Sequence, residues 1–285
     1  KIMHDNPCIR EAKLYDKLED DKVQCNVCNR RCIIKPGQFG MCYDRYNYNG
    51  TLYVLTYGNI SSISCNPIEK KPFFHFWPGS VALTVGSWSC NFLCPWCQNY
   101  DISKEYPINH RFNFLPPKGF IDIAMKNMCQ GTSFSFNEPT VSLFEYSLDV
   151  MKLARAKGLY NTYVTNGYMT KEALLMLYEA GLDAMNIDIK GCSPRVNKFI
   201  GAPVEPVWET AKYAISLGIH VEITTLLIPG VNDDIKCLEY IAKRIAIELG
   251  DDVPWHITRY FPQYKAKKYG LIHITPIELL EKAYS

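Results

Sequence analysis

Residues 81–97 read Val-Ala-Leu-Thr-Val-Gly-Ser-Trp-Ser-Cys-Asn-Phe-Leu-Cys-Pro-Trp-Cys, and this stretch decides the fold of the 285-residue chain. An apolar run ends at Gly86, and Cys90, Cys94 and Cys97 follow it at the spacing Cys-x3-Cys-x2-Cys. Thiolates at such spacing can all reach one soft metal centre, and a cubane iron–sulfur cluster normally takes four of them. Three protein thiolates leave one iron open for a substrate or cofactor. The string alone also suits an incomplete zinc site or three buried free thiols.

From residue 81 onward, segments of helical period end at glycine and are followed by short β-rich runs. The predicted helices cover about 119–128, 143–157, 170–180, 206–217 and 233–249, and the predicted strands cover 132–136, 160–164, 184–189, 219–227 and 253–260. Glycine suits the left-handed position just past a helix, and Thr or Asp suits its start. This alternation favours βα units and a parallel sheet. With residues 81–86 as the first strand, we predict an α/β fold, a partial (β/α)6 barrel. A flavodoxin-like open sheet is the alternative.

Polar signatures lie at or just past the carboxyl ends of these strands, where parallel sheets and barrels bind their ligands. The candidate cofactor-binding residues are Trp96, Asn137, Glu138, Thr165, Asn166, Asp188, Lys190, Ile228, His256 and Arg259. Any one of them alone suits strand-end capping or a surface ion pair equally well. Six separate segments that point to one face are harder to explain by packing.

Each signature has a chemical use. Glu138 could accept a charge-assisted hydrogen bond from an ammonium group. Asp188 and Lys190 are two apart on a strand, so they point the same way and could bind the polar ends of a zwitterion. The pair Thr165-Asn166 could bond ribose hydroxyls, and residues 228–230 offer an apolar wall for a flat base. His256 could bond the carboxylate or ribose of the ligand.

The N-terminal part carries a second cysteine group, Cys25, Cys28, Cys32 and Cys42. Four thiols within 18 residues suit a closed zinc site or an auxiliary iron–sulfur cluster, with zinc slightly favoured. Reduced thiols without metal are the third interpretation. We predict an accessory region over residues 1–80 and a barrel with a C-terminal helix over 81–285. Residues 11–18 have a short helical period, and residues 51–57 indicate a strand or hairpin. Residues 275–278 begin a capped helix that stops at Ser285, which suggests a truncated C-terminus.

The composition limits the partners. The formal charge is +2, and no basic run is longer than Arg30-Arg31 or Lys267-Lys268, so nucleic acid is not expected. No apolar run approaches the ~20 residues of a membrane span, and the N-terminus shows no secretory signal. Clustered cysteines in a long chain of this kind indicate metal binding more than disulfides. We therefore expect a cytoplasmic protein with an oxygen-sensitive site.

The order of the motifs resembles the radical S-adenosylmethionine (SAM) superfamily. That order is Cys-x3-Cys-x-aromatic-Cys, Glu-Pro, Thr-Asn-Gly, Asp-x-Lys-Gly, Pro-Gly-x-Asn-Asp and Trp-His-x-x-Arg. Over about residues 81–262 it is similar to pyruvate formate-lyase activating enzyme. The four-cysteine region, residues 68–72 and residues 137–140 look more like the radical SAM enzymes of the AmmeMemoRadiSam system. One departure is Phe136-Asn137-Glu138, where many members have Gly-Gly-Glu; this loop backbone should be less free.

The resemblance implies a mechanism. Cys90, Cys94 and Cys97 would hold a [4Fe–4S] cluster whose open iron binds SAM, with Trp96 near the adenine. An electron from a flavodoxin or ferredoxin would enter through the cluster and cleave SAM to a 5′-deoxyadenosyl radical. That radical would take a hydrogen atom from a protein or peptide substrate. A glycyl-radical enzyme activase is the alternative, and an iron–sulfur protein without SAM chemistry is a third.

Overall fold

Thirteen strands run through the part of the chain that the structure describes, residues 5–192 and 194–285 of a computed structural model. They are β1 (Arg10–Glu11), β2 (Tyr15–Lys17), β3 (Val23–Cys25), β4 (Ile33–Ile34), β5 (Arg45–Tyr48), β6 (Thr51–Val54), β7 (Ser62–Pro67), β8 (Val81–Gly86), β9 (Gly131–Phe134), β10 (Tyr160–Thr165), β11 (Ala184–Asp188), β12 (His220–Leu227) and β13 (Trp255–Arg259).

Helices fill most of the connections after β8. They are α1 (Tyr100–Ser103), α2 (Pro117–Lys126), α3 (Pro139–Ser142), α4 (Phe144–Ala156), α5 (Lys171–Ala180), α6 (Pro194–Ile200), α7 (Glu205–Ser216), α8 (Ile235–Arg244) and α9 (Ile277–Tyr284). A π-helical turn, Ile245–Leu249, continues α8. Short 3-10 turns occur at Glu19–Asp21, Ile68–Lys70, Pro107–Asn109 and Ala266–Tyr269.

The main sheet has seven strands in the order β13-β12-β11-β10-β9-β8-β7. Strands β8 to β13 are all parallel and follow one another in chain order. A flavodoxin-like sheet would change direction part-way through its strand order, so the sequential order confirms the predicted partial (β/α)6 barrel. The outer strands β7 and β13 are not joined to each other in the described residues, so the barrel is open on that side.

The apolar faces of the helices cover the outside of this sheet. In α5, for example, Ala173, Leu174 and Leu177 are fully buried. The helix begins where the predicted cap Thr170 accepts a hydrogen bond from the amide of Ala173, 3.1 Å away, and it ends at Gly181 with φ +115°. Residues that alternate along the strands face inward instead, and several of these are polar.

The accessory region differs from its prediction in two places. Strand β7 pairs antiparallel with β8 from Ser62↔Gly86 to Pro67↔Val81, so the sheet extends past the predicted boundary at residue 80. The helical period over residues 11–18 does not correspond to a helix, because Tyr15–Lys17 forms strand β2 and pairs with β3. The predicted hairpin is confirmed: β6 pairs with β5.

A strap of residues 68–76 crosses the amino-terminal end of the barrel strands. It leaves β7 through the turn Ile68–Lys70. The carbonyl of Pro72 accepts a hydrogen bond from the Asn186 side chain at 2.9 Å, and Glu222 accepts one from the amide of Phe74 at 3.1 Å. Because both partners point inward from β11 and β12, the strap forms the floor of the barrel.

Candidate functional site

A cavity of about 440 Å³ lies inside the barrel and opens at the carboxyl ends of β8 to β13. The structure brings twelve of the thirteen predicted cluster and cofactor residues to its wall. They are Cys90, Cys94, Trp96, Cys97, Asn137, Glu138, Thr165, Asn166, Asp188, Lys190, Ile228 and Arg259. The remaining residue, His256, is elsewhere.

The loop after β8 carries the three cysteines, and it is fixed from both sides. The amide of Leu93 donates to the carbonyl of Ile200 at 2.9 Å, and Lys104 Nζ donates to the carbonyl of Phe92 at 2.6 Å. Burial raises the pKa of the Cys90 thiol to about 12, although the nearby Lys104 lowers it in part. The Cys90 thiol therefore needs a further positive charge, such as that of iron, to become a thiolate at neutral pH.

The donor chemistry of the cavity fits a cluster with one open iron. Three soft thiol ligands share the cavity wall, which holds no fourth cysteine among the described residues. Throughout residues 5–192 and 194–285, no three His, Cys, Asp or Glu side chains stand ready as the ligands of a metal ion. In an iron–sulfur cluster each thiolate binds a different iron, so the three sulfur atoms need not surround a single point. The cavity that the three cysteines share is therefore what supports the fit of a cluster.

Glu138 is a buried carboxylate held at the end of β9. Its Oε1 accepts from the Thr165 hydroxyl at 2.6 Å and from the Thr140 amide at 3.1 Å, and its Oε2 accepts from the Asn166 amide at 2.8 Å. Burial raises its pKa, while these hydrogen bonds lower it in part. An ionised carboxylate has about four acceptor positions, so Oε2 keeps capacity for a cationic ligand group. The hydroxyl of Thr165 thus supports Glu138, and its predicted contact with a ribose stays a prediction.

Asp188 and Lys190 form an ion pair of 2.9 Å at the end of β11, on the same wall. Burial lowers the pKa of Lys190, but Asp188 and Cys94 raise it by more, so this ammonium stays charged. The loop behind it is fastened by Asn232, whose Nδ2 donates to the carbonyl of Lys190 at 2.9 Å and whose Oδ1 accepts from the Ile228 amide at 2.7 Å. One wall therefore offers a cation and an anion beside a cluster cysteine.

Asn137 and Asn166 tie the strand-end loops to one another. Asn137 accepts from the Ser87 amide at 2.9 Å and donates to the carbonyl of Ser89 at 2.9 Å. Asn166 Nδ2 donates to Asn91 Oδ1 at 2.7 Å, beside Cys90. The polar groups of Asn137 are thus mainly engaged inside the protein, which makes it a loop brace at the cavity wall.

His256 does not reach the cavity, which corrects its predicted contact with the ligand carboxylate or ribose. Its Nε2 lies 2.8 Å from Glu222 Oε1, and His220 Nε2 lies 2.9 Å from the other oxygen. Strand β13 runs toward the cavity mouth, so His256 near its start lies deep in the barrel, against Phe74 of the strap. Glu222 was missed in the sequence, although it shares the inward period of two with Thr224 and Leu226.

The four N-terminal cysteines surround a second, much smaller cavity of about 20 Å³. Burial raises the pKa of Cys25 to about 12 and also raises that of Cys28. Below this cavity Arg45 forms a buried bidentate ion pair with Glu145 of α4, with N–O distances of 2.6 and 2.9 Å. The structure thus gathers the predicted cysteines, and it fastens their region to the barrel.

A family comparison decides the affiliation of the chain. The family model described as the Radical SAM superfamily matches residues 88–241, from the cysteine loop to helix α8. The chain belongs to the radical SAM superfamily. This confirms the resemblance seen in the motifs, and with it the assignment as an iron–sulfur, SAM-dependent protein. The narrower resemblances to two branches of the superfamily stay predictions.

Two curated proteins are similar to this chain in sequence. "Uncharacterized protein MJ0808" of Methanocaldococcus jannaschii is 43% identical over 275 residues, which cover 96% of this chain and 80% of the relative. GTP 3′,8-cyclase of Staphylococcus haemolyticus is 25% identical over 187 residues, which cover 60% of this chain and 55% of the cyclase. The chain therefore spans about half the length of that cyclase.

A solved structure has a similar fold. The crystal structure of Streptococcus suis SuiB bound to S-adenosylmethionine superimposes with a TM-score of 0.52 and 14% identity, covering 71% of this chain and 48% of SuiB. At this identity the likeness concerns the fold alone.

Two features of this radical SAM chain were not foreseen. Phe136, in the loop where many members have glycine, adopts φ +69°, a conformation that is strained for a bulky side chain. Cys192, in the loop after β11, forms a disulfide with Cys237 of α8.

Among the described helices, none has the length and apolar character to cross a bilayer.

Proposed function

We propose that this protein reductively cleaves S-adenosylmethionine and abstracts a hydrogen atom from a protein or peptide substrate. The observation that carries the proposal is the convergence of Cys90, Cys94 and Cys97 with Glu138 and the Asp188–Lys190 pair on one cavity wall. The ion pair and the buried carboxylate lie beside three cysteines that would leave one iron of a cluster open. These charges match SAM, which carries an ammonium, a carboxylate and a sulfonium group.

Each wall residue has a role toward SAM. Glu138 accepts from its ammonium group, and Lys190 meets its carboxylate. Trp96, which is 3% exposed, and Ile228, which is 1% exposed, provide apolar surfaces for the adenine. When bound, the cluster and SAM supply one-electron cleavage of the sulfonium C5′–S bond, giving methionine and a 5′-deoxyadenosyl radical. The protein holds the reactants together and excludes water.

The core of the proposal is tested by anaerobic reconstitution with iron and sulfide. Protein treated with dithionite and SAM should release 5′-deoxyadenosine, measured by liquid chromatography. Cys94→Ala should lose at least about 99% of this release, because a missing cluster ligand removes the site of cleavage. Cys129→Ala, at a free cysteine outside the cavity, is the control. Equal release by Cys94→Ala would overturn the proposal.

The open side of the barrel supports a macromolecular substrate. Strands β7 and β13 do not pair with each other in the described residues, and in this proposal a segment of another chain reaches the cavity between them. If the protein acts on a peptide or protein, deuterium from labelled co-purifying proteins should appear in 5′-deoxyadenosine.

A glycyl-radical signal on such a partner would favour the activase alternative. An iron–sulfur protein without SAM chemistry would give neither readout. The electron donor in this proposal is a flavodoxin or ferredoxin.

Cys25, Cys28, Cys32 and Cys42 hold a metal of their own in this proposal, with zinc favoured over a second cluster. Four thiols line a cavity of about 20 Å³, room for roughly one small atom, and this gathering of soft ligands, rather than a preset coordination shell, supports a single ion. Metal analysis of protein purified without iron should give about one zinc per chain, and Cys28→Ser should lose it. Four additional irons in the reconstituted protein would instead identify a second cluster.

A further inference from the structure

Lys71 is the most deeply buried lysine of the cavity wall. It belongs to the strap of residues 68–76, its residue exposure is 6%, and it lines the same cavity as the cluster cysteines. Its Nζ lies 4.4 Å from the centroid of the Phe136 ring. The strap backbone stays at the barrel floor, so the Lys71 side chain rises from the floor toward the loop after β9.

Nothing in the described residues neutralises this ammonium. Its side chain has no ion pair or hydrogen bond there, and its charged neighbour is another cation, Lys70. Burial, and then Lys70, lower the pKa of Lys71 to about 8. The contact with the Phe136 face is attractive but supplies no counter-charge. A buried cation without a partner reduces stability, which is typical of residues kept for binding or catalysis.

No other charged group on the described cavity wall acts as a counter-ion for Lys71. Lys190 is paired with Asp188, Lys104 is bonded to the carbonyl of Phe92, and Glu138 is held by Thr140, Thr165 and Asn166. The lining contains five cations, Lys70, Lys71, Lys104, Lys190 and Arg259, against two carboxylates, Glu138 and Asp188. Lys70, Lys71, Lys104 and Arg259 therefore remain without a carboxylate on this wall.

We propose that Lys71 anchors a second binding subsite, on the floor side of the barrel, which takes a carboxylate of the substrate. This rests on the proposed function, because the radical must act on a molecule that shares the cavity with SAM. Lys70 and Arg259 are exposed and Lys104 is bonded to a carbonyl, which leaves Lys71 as the buried, unpartnered cation. One buried ammonium balances one carboxylate, whereas a phosphate group carries about −1.5 to −2 charges. The carboxylate belongs to an acidic side chain or to the C-terminus of the peptide.

The test is an NMR titration of the full chain labelled with [ε-13C]lysine, since the Cε shift reports ionisation of Nζ. Lys71→Arg assigns the resonance, and the exposed Lys118, whose side chain is 84% exposed, is the internal reference. The probes are sodium glutarate, sodium phosphate and sodium chloride at equal ionic strength. Glutarate should shift the Lys71 resonance saturably and raise its titration midpoint by about one unit. Chloride should do neither, and phosphate should act more weakly.

Three capped tripeptides then distinguish the two sources of the carboxylate. Acetyl-Gly-Glu-Gly-amide tests an acidic side chain, acetyl-Gly-Gly-Gly with a free carboxyl end tests a C-terminus, and acetyl-Gly-Gln-Gly-amide is neutral. A saturable Lys71 shift with either acid and none with the neutral peptide supports the subsite. An equal shift with the neutral peptide, a stronger response to phosphate, or no saturation with any carboxylate overturns it.

Controls keep this inference separate from the proposed function. Lys71→Met should abolish binding of glutarate measured by calorimetry, while Lys118→Met should bind as the wild type does. If Lys71→Met does not fold, the wild-type titration still decides. None of these readouts needs SAM cleavage, whereas release of 5′-deoxyadenosine by wild-type protein tests the proposed function by itself.

Discussion

Glu138 illustrates how one buried carboxylate can be both braced and available. Three donors from Thr140, Thr165 and Asn166 fix its position, yet Oε2 receives a single hydrogen bond. Since a charge-assisted hydrogen bond contributes about 1.5–3 kcal/mol, this residue should dominate recognition of the SAM ammonium group.

Glu138→Gln should therefore weaken SAM binding by about 10- to 100-fold, because the amide cannot offer a negative charge. Anaerobic calorimetry on the reconstituted protein measures this affinity. Glu179→Gln, on the exposed face of α5, is the matched control and should bind SAM normally. An unchanged affinity in Glu138→Gln would remove Glu138 from the cofactor site.

Glu222 makes the barrel floor sensitive to acid. Burial raises the pKa of Glu222, but hydrogen bonds from His220, His256 and the Phe74 amide lower it by more, to about 2 against an ordinary 4.5. Because the folded-state pKa is the lower one, this stabilisation is present above about pH 4.5 and is lost as the pH falls toward 2. The difference corresponds to about 3 kcal/mol at full protonation.

Urea unfolding at pH 6, 5, 4 and 3 tests this. The wild type should lose stability in this range more steeply than Glu222→Gln, by about 2 kcal/mol at pH 3. Glu239→Gln, an exposed glutamate on α8, should follow the wild type. Parallel pH profiles for wild type and Glu222→Gln would contradict the role given to this carboxylate.

Single residues also show where sequence information ends. Cys90, Cys94 and Cys97 were identifiable because the spacing Cys-x3-Cys-x2-Cys by itself indicates a shared metal centre. Glu138 and Lys190 were identifiable because they directly follow strands. Lys71 and Glu222 carry no such local signal. Lys71 reaches the site only because the strap folds back across the barrel, and His256 misses it because its position on the strand sets its depth.

The elements around β8–β13 were largely predictable, since period, caps and glycines agree locally. Gly158, Gly181 and Gly218 all have positive φ at the predicted helix ends. Strand β7 was not predictable, because its short alternating run gains strand character only from pairing with β8. Strand β2 likewise depends on β3, which overrode a weak helical period.

The joint between β5 and helix α4 depends on one ion pair. Arg45 and Glu145 are 1% and 3% exposed and form a bidentate contact. Removing one partner leaves a buried charge, which destabilises proteins by about 3–5 kcal/mol.

Arg45→Met should thus lower the free energy of unfolding by about 3–5 kcal/mol, measured in urea, and Arg45→Met with Glu145→Leu should recover a large part of it. Lys118→Met, at an exposed pair on α2, should change stability by less than about 1 kcal/mol. Equal losses in the single and double variants would show that packing, and not the charges, fastens this joint.

The molecule as a whole is an open barrel whose accessory region contacts the loops after β8 and β10, through Arg30 and Asn29, and helix α4, through Arg45. The sequential strand order followed from the βα rhythm of the sequence, whereas the extra antiparallel strand and the strap needed long-range contacts that no local pattern records. The cofactor end was therefore visible in the sequence, and the floor end was not.

The strap of residues 68–76 has a consequence for how such an enzyme could acquire a new substrate specificity. It meets the barrel through backbone hydrogen bonds to Asn186 and Glu222 and through the fully buried Phe73 side chain, while the cysteines lie at the other end of β8. If the three cysteines hold the cluster and Lys71 binds the substrate, as proposed, reactivity and selectivity occupy opposite ends of one cavity. A new lining could be installed at the floor, by grafting another strap, while the radical-generating machinery at the mouth is left as it is.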